Sequence, residues 1–200
     1  DNTNAKVWVD YVNSAEKVKP ANFKVAYAFA AVPARYYLEN KMWDDAANLP
    51  IHPANFSWNK FPWQEAITHF ARIMGSVNTN NIASAKKELG ILNKLHDTLK
   101  VMKDKANEAA QVLVQIKTSE AWIHFKENKY EQAITLMTEA ATMEDGMDKH
   151  PVTPGEIIPA RELLGEMYLQ MNKPMEAKKA FDESLRTHPN RKNALNRVKA

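Results

Sequence analysis

The 200-residue chain has no cysteine and only five glycines. Without cysteine there is no disulfide framework, no thiolate nucleophile and no cysteine-based zinc or iron–sulfur site. That absence suits any redox compartment, so it locates nothing. Gly75, Gly90, Gly146, Gly155 and Gly165 never come closer than nine positions to one another. The GxGxxG dinucleotide loop, the GxxxxGK phosphate loop and the GxSxG nucleophile elbow are therefore excluded. Long apolar runs are also missing. The longest, Val25 to Ala34, is ten residues between Lys24 and Arg35, where a membrane span needs about 20. A net charge of +3 with lysines spread along the chain gives no electrostatic case for nucleic acid. Hydrophobic residues at 44% and charged residues at 26% fit a soluble globular protein, cytoplasmic or periplasmic. The chain opens at Asp1 with neither an initiator Met nor a signal peptide, as a mature form or an excised domain would.

What is present is helical periodicity. Val7/Trp8, Tyr11/Val12, Ala15 and Val18 trace one apolar stripe at three- and four-residue spacing. Ile82, Ala85, Leu89, Leu92, Leu95 and Leu99 trace another, with Asn80 as the expected cap. No segment alternates apolar and polar residues long enough to read as a strand. About ten helices are expected, over 4–18, 22–40, 43–48, 62–76, 81–98, 104–128, 130–143, 157–171, 174–187 and 191–199. Pro33 should kink or split the second. The loops at 49–61 and 144–156 exceed ordinary helix–helix connections. No linker shows a composition shift, so 1–200 reads as a single domain.

Residues 158–189 carry Leu164-Gly165, Tyr168, Ala177, Phe181 and Pro189. Numbered from Ile158, these fall on positions 7, 8, 11, 20, 24 and 32 of a helix–turn–helix unit. The pattern resembles the tetratricopeptide repeat of 34 residues. Arg161 and Ser184 depart from the Trp and Ala expected at positions 4 and 27. Fainter copies precede it, and the Ala at position 20 recurs at Ala46, Ala85, Ala133 and Ala177, in steps of 39, 48 and 44 residues. The resemblance implies an all-α, right-handed α-solenoid of about four helix pairs (27–60, 62–98, 104–145 and 157–190) with an extra helix at each end, the last (191–199) a cap. Lys149-His150-Pro151-Val152-Thr153-Pro154-Gly155, Pro159-Ala160-Arg161-Glu162-Leu163-Leu164-Gly165, Phe61-Pro62-Trp63 and Thr68-His69-Phe70-Ala71-Arg72 resemble the C-terminal half of a group of bacterial tetratricopeptide-repeat proteins. Members of that group are longer chains without an assigned activity. The resemblance thus implies part of a longer chain, and a fold without a mechanism.

In such a repeat the first helix of each pair lines a concave groove. Position 9 of the four copies is Arg35, Arg72, Trp122 and Glu166; nearby groove positions hold Thr68, Gln115, Thr118, Phe125, Lys126, Glu162 and Gln170. The functional expectation is a peptide-binding groove. Arg35 and Arg72 would hold carboxylate or phosphate, Trp122 and Phe125 an apolar anchor, and Glu162 and Glu166 a basic end. The competing expectation is a solvated concave face with an intramolecular Arg–Glu pair. The Lys/Asn clamp for a C-terminal carboxylate is absent.

No catalytic constellation is visible, and no cofactor or resident metal is expected. No histidine is followed by Glu, so HExxH does not occur. Glu120 and His124 share a helix face, but His124 should face the partner helix. His150, with Glu144, Asp145 and Asp148, offers a cation site at most, of spacing that matches no EF-hand. The basic run Arg186, Arg191, Lys192, Arg197 and Lys199 reads as the polar outer face of the capping helix. The residues leave open whether Trp43, Trp58 and Trp63 pack inward or form a patch. The expected function is a non-catalytic protein–protein interaction module, a scaffold that binds a peptide or a neighbouring domain in its groove. One alternative is a purely structural repeat domain whose groove is filled by another part of the same longer chain. The other is a small-ligand or metal site near His150 or the 49–61 loop.

Overall fold

The computed structural model describes residues 2–147 and 156–199. Among these the chain forms ten α-helices and no strand. They are α1 (Asn2–Ser14), α2 (Phe23–Glu39), α3 (Trp43–Ala47), α4 (Pro62–Asn78), α5 (Ile82–Val101), α6 (Ala106–Lys126), α7 (Tyr130–Asp145), α8 (Ala160–Gln170), α9 (Pro174–Thr187) and α10 (Lys192–Lys199). Each helix packs on its neighbours in the chain. The broadest contacts join α6 to α7, α4 to α5 and α8 to α9. Pro33 does not split α2, which runs through it as one helix. Its missing N–H removes one rung only, and the buried ring is absorbed into the core.

A recurring turn joins α2 to α3, α4 to α5, α6 to α7 and α8 to α9. Each has one residue in the left-handed region: Lys41, Asn80, Asn128 and Asn172, with φ between 54 and 62°. Asn tolerates this region better than most residues, because its short amide hydrogen-bonds locally. Each of these residues lies five positions before Ala46, Ala85, Ala133 or Ala177. All four alanines are completely buried. The recurring Ala therefore marks the point where the second helix presses on its partner, too close for a larger side chain. The cap of α5 is Asn81, whose Oδ1 accepts from Ser84 N–H at 3.1 Å. Asn80, the cap expected from sequence, instead supplies the reversal before it.

A main apolar core runs from Ala26 on α2 to Leu163 on α8 and Ala180 on α9. A separate small cluster of Ala177, Phe181 and Ala194 ties α10 to α9. Trp58 and Trp63 pack inward, each 7% exposed. Trp58 donates its indole N–H to the Pro53 carbonyl at 3.0 Å. Phe56 stacks beside it, against Phe61, and meets Phe29 edge-on, so the 49–61 loop is held by aromatic packing. The stripe expected on the first helix turns out otherwise. Val9 is buried and Val12 half-buried, while Val7, Trp8 and Tyr11 are more than 60% exposed or at 60%. Helix α1 ends at Ser14, ahead of Pro20, and packs mainly on α2, so one narrow face suffices.

Candidate functional site

Four of the eleven expected groove residues, Trp122, Glu162, Glu166 and Gln170, line one cavity of about 160 Å³. Leu38 of α2, Met74 of α4, Leu163 of α8 and Phe181 of α9 form its apolar wall. Lys41, Asn78 and Asn193 complete its polar side. Drug-sized ligands fill pockets of roughly 300–1,000 Å³, so this cavity has room for one inserted side chain or a few waters.

The polar side is a charge network that joins the end of α2 to α8 and to the C-terminal segment. Arg191 donates from Nε and Nη2 to both oxygens of Glu162, at 3.0 and 2.7 Å, a two-pronged pair. Its remaining Nη1 donates to Glu39 at the end of α2. Asn193 Nδ2 donates to the other Glu39 oxygen at 2.9 Å. Arg197 pairs with Glu166 in the same two-pronged way, at 2.9 and 3.1 Å. Lys41, in the α2–α3 turn, reaches that carboxylate at 3.3 Å. Residues 125 to 154 positions apart are thus joined across the cavity mouth. Burial pushes the Glu39 carboxyl above its ordinary value, and Arg191 offsets only part of that. Arg191 and Arg197 belong to the run expected on an outer polar face; Arg191 turns inward onto Glu162 and Glu39, while Arg197 reaches Glu166 from an exposed position. Arg186, Lys192 and Lys199 remain exposed.

The other seven groove residues lie elsewhere. Thr68 is buried, at 2% exposure. Thr118 and Phe125 are buried, at 1% and 8% exposure. Gln115 is half-buried, with an unpartnered Oε1 among the described residues. Lys126 lies over the Phe125 ring, 6.0 Å from its centre. Arg35 bears on the Tyr27 hydroxyl. Arg72 Nε donates to the Leu49 carbonyl at 2.6 Å, and its Nη1 reaches Glu88 at 3.5 Å.

Glu88 belongs to a cluster that the sequence reading passed over. His69 is 4% exposed, and its Nδ1 meets Glu88 Oε2 at 2.5 Å. Its Nε2 lies 3.7 Å from Glu65, one turn back on α4. Burial alone would lower the His69 pKa, but the two carboxylates outweigh it and hold the imidazolium above its ordinary value of 6.5. Glu88 is partly desolvated, which would raise it, yet His69 and Arg72 hold it below its ordinary value of 4.5. The Glu65/His69 spacing of four was the available signal. The partner Glu88 sits on another helix and had none.

The sign of the resulting pH dependence follows from linkage. His69 is raised in the folded state, so its contribution is complete below pH 6.5 and fades as pH rises through the folded value. Glu88 is lowered, so its contribution is complete above pH 4.5 and fades as pH falls through its folded value. His69→Gln is expected to lower stability by about 2 kcal/mol near pH 6, the size of a charge-assisted hydrogen bond, with the deficit shrinking toward pH 8. Urea midpoints across that range check it. A deficit that does not change with pH would show that His69 is neutral in the fold.

Two of the carboxylates expected beside His150 are engaged. Glu144 accepts from the Ala160 N–H with both oxygens, at 3.0 and 2.8 Å, and so caps α8. Asp145 accepts from Arg161 Nε at 2.8 Å. Asp148 and His150 lie outside the described residues. Among the described residues no group of three or more His, Asp or Glu is placed to hold a metal ion. Neither is any helix among them long and apolar enough to cross a membrane. His124, expected to face its helix partner, is half-buried with Nδ1 3.8 Å from Glu127.

Comparison of the chain with protein-family models, with curated proteins and with solved structures finds no match in any of the three.

Proposed function

We propose that the chain is a non-catalytic interaction module of tetratricopeptide-like helix pairs, a solenoid that binds a peptide or a neighbouring domain on its concave side. The observation that carries this reading is the cavity where α2, α4, α6 and α8 converge, with an apolar wall on one side and paired charges on the other. Its size suits one anchoring side chain of a larger ligand, and a partly polar rim gives such an anchor its orientation. The four turns with a left-handed residue five positions before a buried Ala support a repeating unit.

Selection of peptides from a random display library against the whole chain tests the reading. Selected peptides are expected to perturb the Trp122 indole resonance and to lose at least about tenfold in affinity on Gln170→Trp, which blocks the exposed rim. Peptides that bind equally to the variant would move the function away from this cavity. The purely structural alternative has one observation in its favour, because a segment of this same chain, α10, already closes the rim. It predicts that no peptide is enriched.

A further inference from the structure

We propose that the acidic side of the cavity is an arginine-recognition site whose occupant within the chain is Arg191 together with α10, and that its partner is a basic segment with two arginines spaced as Arg191 and Arg197. The inference rests on the concave-face reading above and states the chemistry of the ligand. Glu162 is 3% exposed, so its carboxylate has given up almost all of its water. A buried carboxylate needs a partner that replaces that water with hydrogen bonds. Arg191 supplies two, and spends its third donor on Glu39. Glu166, at the other end of the site, receives the same two-pronged contact from Arg197. Two such receptors select guanidinium over ammonium, since a lysine is a point charge and cannot bridge both oxygens in plane. With Arg191 and α10 removed, Glu39, Glu162 and Glu166 face only Lys41 and Arg35 as nearby cations among the described residues. The vacated site is acidic.

Helix α10 is built to leave. It has eight residues, well short of the roughly 12–15 at which an isolated helix becomes even marginal. Ala194 is its one fully buried side chain, with Leu195 and Val198 half-buried. Ala194 and Val198 belong to the small cluster on α9, apart from the main core. An element with little buried apolar surface, held mainly by ion pairs, opens before the rest of a fold. The same logic limits the damage from losing Arg191: the chain releases α10 and lets water reach Glu162, rather than keep a bare carboxylate buried.

The probe is a fluorescein-labelled peptide of residues 188–199, titrated into the full chain and into Arg191→Gln/Arg197→Gln. The variant is expected to bind it at least about tenfold more tightly than the parent, and to lose that gain on adding Glu162→Gln. The same peptide with both arginines changed to lysine is expected to bind about tenfold more weakly. Equal binding of the arginine and lysine peptides, or none by the folded variant, overturns the proposal. Should the variant fail to fold, hydrogen exchange on the unaltered chain decides. Excess arginine peptide must accelerate exchange of the Leu195–Lys199 amides and leave those of α9 unchanged; no acceleration overturns it. Library peptides that reach the Trp122 cavity without an arginine would overturn this inference while the concave-face reading stands.

Discussion

Gly75→Ala is expected to destabilise the protein by about 3 kcal/mol, the upper end of what an extra methyl costs in a closed contact. A Cβ at Gly75 would lie 2.3 Å from Ala47 N, 2.6 Å from the Trp43 carbonyl oxygen and 2.8 Å from Ala47 Cα. All three are backbone atoms of α3, so no rotamer change can relieve the overlap. Helix α3 has only five residues, and it must move as a body, lifting Ala46 and Leu49 from the core beside it. In a chain of this size the loss corresponds to a fall of roughly 6–12 °C in Tm. Gly90→Ala is the control. It lies inside α5 with nothing within 4 Å of its added Cβ. There the change should gain about 0.5–1 kcal/mol from helix propensity alone. Urea melts with unchanged m-values for both variants check the pair. A Gly75→Ala midpoint equal to the parent's would mean that α3 is not packed where it lies here.

Much of this architecture is legible in the residues. Helix positions follow from apolar spacing. The recurrence of Ala46, Ala85, Ala133 and Ala177 marks the sites where helices touch, and Gly165, next to Phe181, marks another. A methyl on Gly165 would meet the Phe181 ring at 2.7–2.9 Å. Gly75 carries no such mark, because its contact is with the preceding pair and its offset is not that of the repeat pattern. The charged residues are the least legible. A Glu or Arg on a helix surface looks solvated unless its partner is known, and the partners here are far away in sequence. Glu39 and Arg191 are 152 residues apart. They meet through the packing of the whole chain, which no window of sequence encodes. Arg72 is the converse case. Its groove position is readable, but its commitment to the Leu49 carbonyl depends on how the 49–61 loop returns.

Trp122 joins both questions, because it is at once a cavity wall and a core residue. Only 2% of it is exposed, and its ring meets Phe125 edge-on with centres 5.6 Å apart. Trp122→Ala is therefore expected to cost about 3–5 kcal/mol, the range for deleting a buried aromatic, and any ligand binding lost with it would be uninterpretable on its own. Trp122→Phe separates the roles. The Trp122 Nε1 is buried and has no hydrogen-bond partner among the described residues. Phenylalanine removes that orphan donor, worth about 1–3 kcal/mol in its own right, while it gives up part of the ring volume. The two effects oppose, so the Phe variant should melt within about 1 kcal/mol of the parent. Millimolar indole should raise the melting temperature of the Ala variant, whose enlarged apolar cavity it fits, and leave the parent unchanged. Equal losses for Phe and Ala would mean instead that the indole nitrogen is satisfied in solution, by a water or a partner that reaches it through the cavity.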